Sequence, residues 1–203
     1  MPPLGRTVNL ILWLLYPCNA FPGVSMPMQV YPLESFFQSE VSAVFDGKLG
    51  LNDAELSAYV ARVLCSFSEE GSLFLQRGFR GYSVEELFAM MRDADPVYGT
   101  AASFDVERAL RKQIGDYCLF VAGMVPEVLD PNGTSKTRRP SLGELIRAGR
   151  ESYSVVGHFD VFEYKREAPM FARLAAQFER YVLGLALVRE ELKRRLGLQS
   201  QLV

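Results

Sequence analysis

The strongest constraint in this sequence is the spacing of apolar residues in its last third. Between residues 169 and 196, apolar side chains recur at alternating intervals of three and four positions, as at the a and d positions of a heptad repeat. They are Phe171, Leu174, Phe178, Tyr181, Leu185, Val188 and Leu192. The pattern predicts one long amphipathic C-terminal helix, about 40 Å in length. Its apolar seam would pack either inside a helical bundle or against a second copy of the chain.

Four helix starts upstream carry their own signals. Asn52–Glu55 resembles a capping box, and Ser83–Glu86 and Ser141–Glu144 have the Ser-x-x-Glu pattern in full. Ser103 opens a helix to about Met124 whose second half is apolar nearly all round, as expected of a helix surrounded by others. With a further helical pattern over 33–45, the sequence predicts an all-α, single-domain bundle of five or six helices.

Glycine marks the exceptions and the close contacts. Residues 71–82 contain three glycines and alternating leucines, so we expect a short extended or hairpin segment there. Gly115 and Gly123 lie eight residues apart on one predicted helix, and Gly149 and Gly157 on the next. Because glycine costs about 1 kcal/mol relative to alanine inside a helix, these four positions predict close helix–helix approach.

The N-terminal segment differs from the rest of the chain. We expect residues 1–29 to form an arm outside a helical domain at 30–203. The arm is either disordered, untranslated because synthesis begins at Met26 or Met28, or a signal peptide cleaved after Ala20. Its apolar run at 8–16 is too short for a transmembrane helix, so membrane attachment is the fourth and last interpretation. The first two interpretations predict a cytoplasmic protein, and the signal peptide an exported one.

Composition excludes several functional classes. With 22 Lys and Arg residues against 24 Asp and Glu, the net charge of −2 predicts no broad attraction to nucleic acid. The single histidine, His158, and the scattered Cys18, Cys65 and Cys118 do not form a metal-ligand set or a disulfide framework. No recognisable catalytic motif is present. We therefore expect no catalytic residues, no metal and no cofactor.

One group of polar residues forms a candidate ligand site. Asp116 directly precedes the apolar half of the central helix, so its carboxylate needs a partner. Arg147 and Arg150 on the next helix are the nearest complements, and the contact we expect is Asp116–Arg150. Such a pair is either a structural tether between two helices or the floor of a ligand pocket. Tyr117 and Tyr153 have hydroxyl groups suited to line that pocket. His158 ends the fifth predicted helix, where it would cap the C-terminus or join the site.

A segment around this site resembles a known pattern. Residues 115–127, GDYCLFVAGMVPE, are similar to the GDYxLFxxGxxPE pattern of an uncharacterised family of bacterial all-helical proteins. Gly149–Tyr153 and the final helix are also similar to that family, so the resemblance covers about residues 30–195. It implies a bacterial origin and a helical fold, and no known activity.

The sequence therefore favours a non-enzymatic protein that binds another protein, or a second copy of itself through the C-terminal helix. One alternative is a small-molecule-binding protein or unrecognised enzyme with a pocket around Asp116, Tyr117 and Arg150. The other is a protein attached to a membrane through residues 8–16.

Overall fold

The computed structural model describes residues 33–75, 81–129 and 138–195, with side chains described throughout except over 69–75. These ranges contain seven α-helices, two short 3-10 helices and no strand. The helices are α1 (Leu33–Phe45), α2 (Ala54–Leu75), α3 (Val84–Asp93), α4 (Phe104–Met124), α5 (Leu142–His158), α6 (Ala168–Ala176) and α7 (Phe178–Arg195). The 3-10 helices cover Pro126–Val128 and Phe162–Arg166. The all-α class is confirmed.

Contacts along the chain separate into two compact units. The first contains α1, α2 and the part of α7 from Ala186 onward, and α1 packs against α2. The second contains α3 to α6 and α7 as far as Leu185, with α4 packed against α5 and α5 against α6. The prediction of one domain from residue 30 onward stays a prediction.

Two of the predicted helix starts are confirmed in detail. At α3 the Glu86 N–H donates to Ser83 Oγ at 3.1 Å, and the Ser83 N–H donates to Glu86 Oε2 at 2.7 Å. At α5 the Glu144 N–H donates to Ser141 Oγ at 3.3 Å, and the Ser141 N–H donates to Glu144 Oε2 at 2.9 Å. Each box satisfies two backbone donors that the helix itself leaves unpaired.

The predicted box at Asn52 is wrong by one residue. Asp53 is the capping residue of α2, because its Oδ1 accepts from the Leu56 N–H at 3.1 Å. Asn52 instead adopts a left-handed conformation, with φ of 47°, that turns the chain into the helix. Asparagine tolerates this conformation better than most residues, which explains why the two neighbours divide the roles in this order.

The extended segment expected at 71–82 is wrong for its first part. Helix α2 continues through Gly71 to Leu75, and residues 76–80 lie outside the described residues. A helix that has already formed several turns gains one hydrogen bond for each residue it adds, so it can continue through one glycine.

The centre of the second unit is α4, as predicted. Every residue from Tyr117 to Met124 is buried. The glycines allow the close approach that their positions predicted. A Cβ atom on Gly115 would lie 2.6 Å from the Tyr153 ring, and one on Gly157 would lie 2.9 Å from the Ala172 nitrogen. Cβ atoms on Gly149 and Gly123 would collide with the side chains of Phe178 and Leu185.

The C-terminal helix is present and packed, but it is divided into α6 and α7 at Gln177. The Gln177 carbonyl accepts from the N–H groups of both Arg180 and Tyr181, at 2.9 and 3.3 Å, so the backbone tightens locally there. Because the predicted C-terminal helix is two helices, the described residues contain seven helices and not the five or six expected. All seven residues of the predicted seam are buried within the single chain.

The predicted arm, 1–29, lies outside the described residues. Among the helices that are described, none has the length and apolar character needed to cross a membrane.

Candidate functional site

Asp116 and Tyr153 join α4 to α5. The Tyr153 hydroxyl donates to Asp116 Oδ1 at 2.6 Å, and Lys112 Nζ donates to Asp116 Oδ2 at 2.8 Å. The Asp116 side chain is 14% exposed and the Tyr153 side chain is fully buried. A partly buried carboxylate is stabilised by an opposite charge and by a hydroxyl donor, and Asp116 has both. Asp116 therefore acts as a tether between two helices.

The partner predicted for Asp116 was wrong. Arg150 lies near Glu179, with Nη1 to Oε1 at 3.6 Å, and its side chain is 55% exposed. Arg150 lies three residues before Tyr153 on α5, but its side chain extends into solvent whereas the Tyr153 side chain is buried. The tyrosine supplies the hydrogen bond that we expected from the arginine.

Tyr117 points away from Asp116. Its hydroxyl accepts from the Tyr82 N–H at 2.8 Å, and the two tyrosine rings lie 4.6 Å apart between their centroids. Burial raises the pKa of Tyr117 far above its usual value of 10, so the hydroxyl stays protonated. This arrangement fixes the chain before α3, where Gly81 adopts a positive φ of 68°.

His158 is the last residue of α5, as predicted. Its Nδ1 lies 2.6 Å from the Ser154 carbonyl oxygen, which makes Nδ1 the protonated nitrogen that donates to the helix end. The ring is exposed at this end of the helix.

The five predicted residues therefore occupy three places. Asp116 and Tyr153 meet in the interior between α4 and α5, and Tyr117 contacts the segment before α3. Arg150 and His158 line an open groove between α5 and α6, with a volume of about 770 Å³. The groove also contains apolar and small residues, among them Ile146, Gly157, Ala172, Ala175 and Ala176, and the charged residues Arg147, Glu151 and Glu179.

Sequence reasoning missed a second surface, which we call the aromatic end and define as Tyr98, Phe104 and Phe162. Their exposed fractions are 87%, 63% and 88%. Phe162 has a φ of 49°, a left-handed conformation that is rare for a bulky residue. The signal in the sequence was weak, because single aromatic residues near turns also occur in cores.

The segment that carries Phe162 is held against the start of α4 by Arg108. The Arg108 guanidinium lies 3.9 Å from the centroid of the Tyr164 ring, and its Nη2 donates to Glu167 Oε2 at 2.7 Å. Desolvation and then the neighbouring Asp105 carboxylate raise the pKa of Tyr164. These contacts hold the 3-10 helix at its middle and its end, so Phe162 is exposed on a fixed segment.

The turn that carries Tyr98, before the start of α4, also has fixed geometry. Asp95 Oδ1 accepts from the N–H groups of Val97 and Tyr98 at 2.7 and 2.9 Å. These two bonds lower the pKa of Asp95 more than any other contact does. The aromatic end thus consists of three exposed rings, one in the turn before α4, one at the first residue of α4, and one on the segment that Arg108 holds against α4.

Thiol and metal chemistry receive little support from the described residues. Cys118 is fully buried, and desolvation raises its pKa well above the usual value, so the thiol stays protonated and unreactive. Cys65 is half-buried, and no disulfide joins it to another cysteine that the structure describes. Over 33–75, 81–129 and 138–195, no group of three or more His, Cys, Asp or Glu side chains could hold a metal ion.

Comparison of the chain with protein-family models, with curated proteins and with solved structures found no match. The resemblance of residues 115–127 to a bacterial helical family therefore stays a prediction.

Proposed function

We propose that this chain is a non-enzymatic binding protein that contacts another protein through the aromatic end. The observation that carries this proposal is Phe162, which is 88% exposed and held in a left-handed backbone conformation. Strain of this kind costs about 1–3 kcal/mol and persists where the surrounding contacts over-determine it, often at functional sites. Large aromatic side chains are also enriched at the centres of protein interfaces.

Self-association through the predicted C-terminal seam receives no support from these contacts. A seam residue needs an accessible apolar surface to pack against a second copy, and Phe171, Leu185 and Leu192 are each 0–2% exposed. If the chain self-associates, the aromatic end is the surface we expect it to use.

The small-molecule alternative also loses its predicted pocket. Asp116 is bonded to Tyr153 and Lys112, while Arg150 lies in a separate groove, so the residues of that hypothesis do not converge on one cavity. A site needs convergent polar groups around one enclosed space.

The experiment is site-specific crosslinking with a photoreactive phenylalanine analogue at position 162. The matched control places the same analogue at Phe88, an exposed phenylalanine on α3. We expect a discrete crosslinked species at 162 that Phe104→Ser weakens, and no such species at 88. Equal crosslinking at both positions, or none at 162, would reject the aromatic end as a binding surface. Sedimentation of the purified chain distinguishes a second copy from a different partner.

A further inference from the structure

The groove between α5 and α6 has the shape of a binding surface for an elongated ligand. Its α5 wall extends from Gly143 to His158, about 22 Å along the helix axis. At one end Gly157 approaches the Ala172 backbone so closely that a Cβ atom would lie 2.9 Å from the nitrogen. At the other end nothing lies within 4 Å of a Cβ atom on Gly143. The groove is therefore narrow at its His158 end and open at its Gly143 end.

The charges in the groove are unevenly matched. Glu179 faces Arg150 at 3.6 Å, and Glu151 faces the buried Arg111 at 3.6 Å. Arg147 is exposed and has no hydrogen bond or ion pair with any residue that the structure describes. Its guanidinium is thus the cation of the groove that a ligand can pair with at no cost to an existing ion pair.

We propose that this groove binds an acidic amphipathic helix of a partner protein, with a carboxylate of that helix on Arg147. Small side chains at Ala172, Ala175 and Ala176 let a second helix approach closely, and Ile146 offers an apolar contact. An arginine guanidinium matches a carboxylate in planar, two-bond geometry. A long helix also fits an open groove better than a small molecule does, because small ligands bind where most of their surface is enclosed.

His158 completes the narrow end of this surface. Its Nδ1 donates to the Ser154 carbonyl, which leaves Nε2 as the ring nitrogen available to a ligand. The proposal concerns a different surface from the aromatic end, so it goes beyond the proposed function and does not depend on it.

The test uses a synthetic helical peptide with alanine and leucine on one face and glutamate beside that face. Its binding to the full-length protein is measured by fluorescence anisotropy, against a peptide in which every glutamate is glutamine. We expect saturable binding of the glutamate peptide, and weakening of about tenfold or more by Arg147→Glu and by glutamine replacement. A lysine version of the peptide is expected to bind the Arg147→Glu variant better than it binds wild type.

Two variants make the test specific to the groove. Ala176→Trp fills the groove at an exposed position and is expected to abolish binding. Arg92→Glu changes the same charge on α3, outside the groove, at a side chain that is 70% exposed, and is expected to leave binding unchanged. The proposal is overturned if the glutamate peptide does not bind, if Arg92→Glu weakens binding as much as Arg147→Glu, or if Ala176→Trp has no effect. None of these outcomes bears on crosslinking at position 162, so the two proposals can fail separately.

Discussion

Replacing Gly115 with alanine tests how tightly α4 and α5 are packed. The new Cβ atom would lie 2.6 Å from two carbons of the Tyr153 ring and 2.9 Å from a third. Carbon atoms in contact prefer a separation of about 3.5–4.0 Å, so the ring would have to withdraw by about 1 Å. The ring has little freedom to do so. It is fully buried, it packs against Phe171 and Phe178 with centroids 5.6 and 5.9 Å away, and its hydroxyl is bonded to Asp116.

Three contributions determine how much Gly115→Ala changes the free energy of unfolding: one stabilises the protein and two destabilise it. Alanine stabilises a helix interior by about 1 kcal/mol relative to glycine. Overpacking a buried contact costs about 1–3 kcal/mol. Complete loss of a hydrogen bond to a charged group costs about 1.5–3 kcal/mol, and a weakened bond costs less. We expect Gly115→Ala to lower the free energy of unfolding by about 2 kcal/mol, since the withdrawal weakens the bond to Asp116 only in part. For a chain of this length, the Tm falls by about 4–8 °C.

Gly143→Ala is the matched control. It lies in the first turn of α5, and nothing lies within 4 Å of its added Cβ atom. The same substitution there should leave the protein unchanged or more stable by up to about 1 kcal/mol. Both variants are measured by thermal unfolding followed by circular dichroism. If Gly115→Ala melts at or above the temperature of Gly143→Ala, Tyr153 has room to move and the close packing inferred for α4 and α5 is wrong.

A double variant separates the collision from other causes. In a Tyr153→Leu background the aromatic ring is absent, so Gly115→Ala should cost less than in wild type, with a coupling energy of about 1 kcal/mol or more. Purely additive effects would show that the cost of Gly115→Ala arises elsewhere on α4.

Three further outcomes are expected. Tyr153→Phe removes the donor to Asp116 and should lower the free energy of unfolding by about 1–3 kcal/mol in chemical denaturation; no change would contradict the tether. Burial raises the pKa of Glu40 above 4.5, so the folded chain holds that proton more tightly than the unfolded chain does. The stability that Glu40 contributes is then greatest below pH 4.5 and falls as the pH rises through the raised pKa. Over that range Glu40→Gln should gain stability relative to wild type. A stability difference between the two proteins that does not change with pH would refute this prediction. The free energy of unfolding should be about 1 kcal/mol higher for Phe162→Gly than for Phe162→Ala, because only glycine adopts the left-handed conformation without strain. The glycine variant should therefore unfold at a higher denaturant concentration, and equal stability of the two variants would contradict the strain inferred at Phe162.

The helices were predictable because their signals are local. A Ser-x-x-Glu box satisfies its own helix end, so Ser83 and Ser141 needed no knowledge of distant residues. The apolar period over 169–196 likewise identified the buried face of α6 and α7 correctly. The division at Gln177 had no such signal, because neither glycine nor proline occurs near it.

The grouping of the site residues failed for a geometric reason that the sequence already contained. Successive residues of an α-helix point about 100° apart, so Asp116 and Tyr117 leave α4 in different directions, and here they reach different neighbours. By the same rule, His158 lies about 140° around α5 from Tyr153. Tyr153 accordingly packs inward to reach Asp116, while His158 lines the groove.

The surfaces that carry both proposals lay outside what helical periodicity can predict. Phe162 follows α5 in a segment whose position depends on Arg108, fifty-four residues earlier in the chain, through the contact of its guanidinium with Tyr164. In the sequence Arg147 does not differ from the neighbouring arginines; in the structure Glu179 and Glu151 pair with Arg150 and Arg111 instead of with Arg147. In each case the exposure of the residue depends on which partners its neighbours contact, and those contacts form only in the folded chain. Each proposed binding surface is therefore identified by a side chain that stays exposed while its neighbours pair with one another. The tests are whether an acidic helix pairs with Arg147 and whether a protein contacts Phe162.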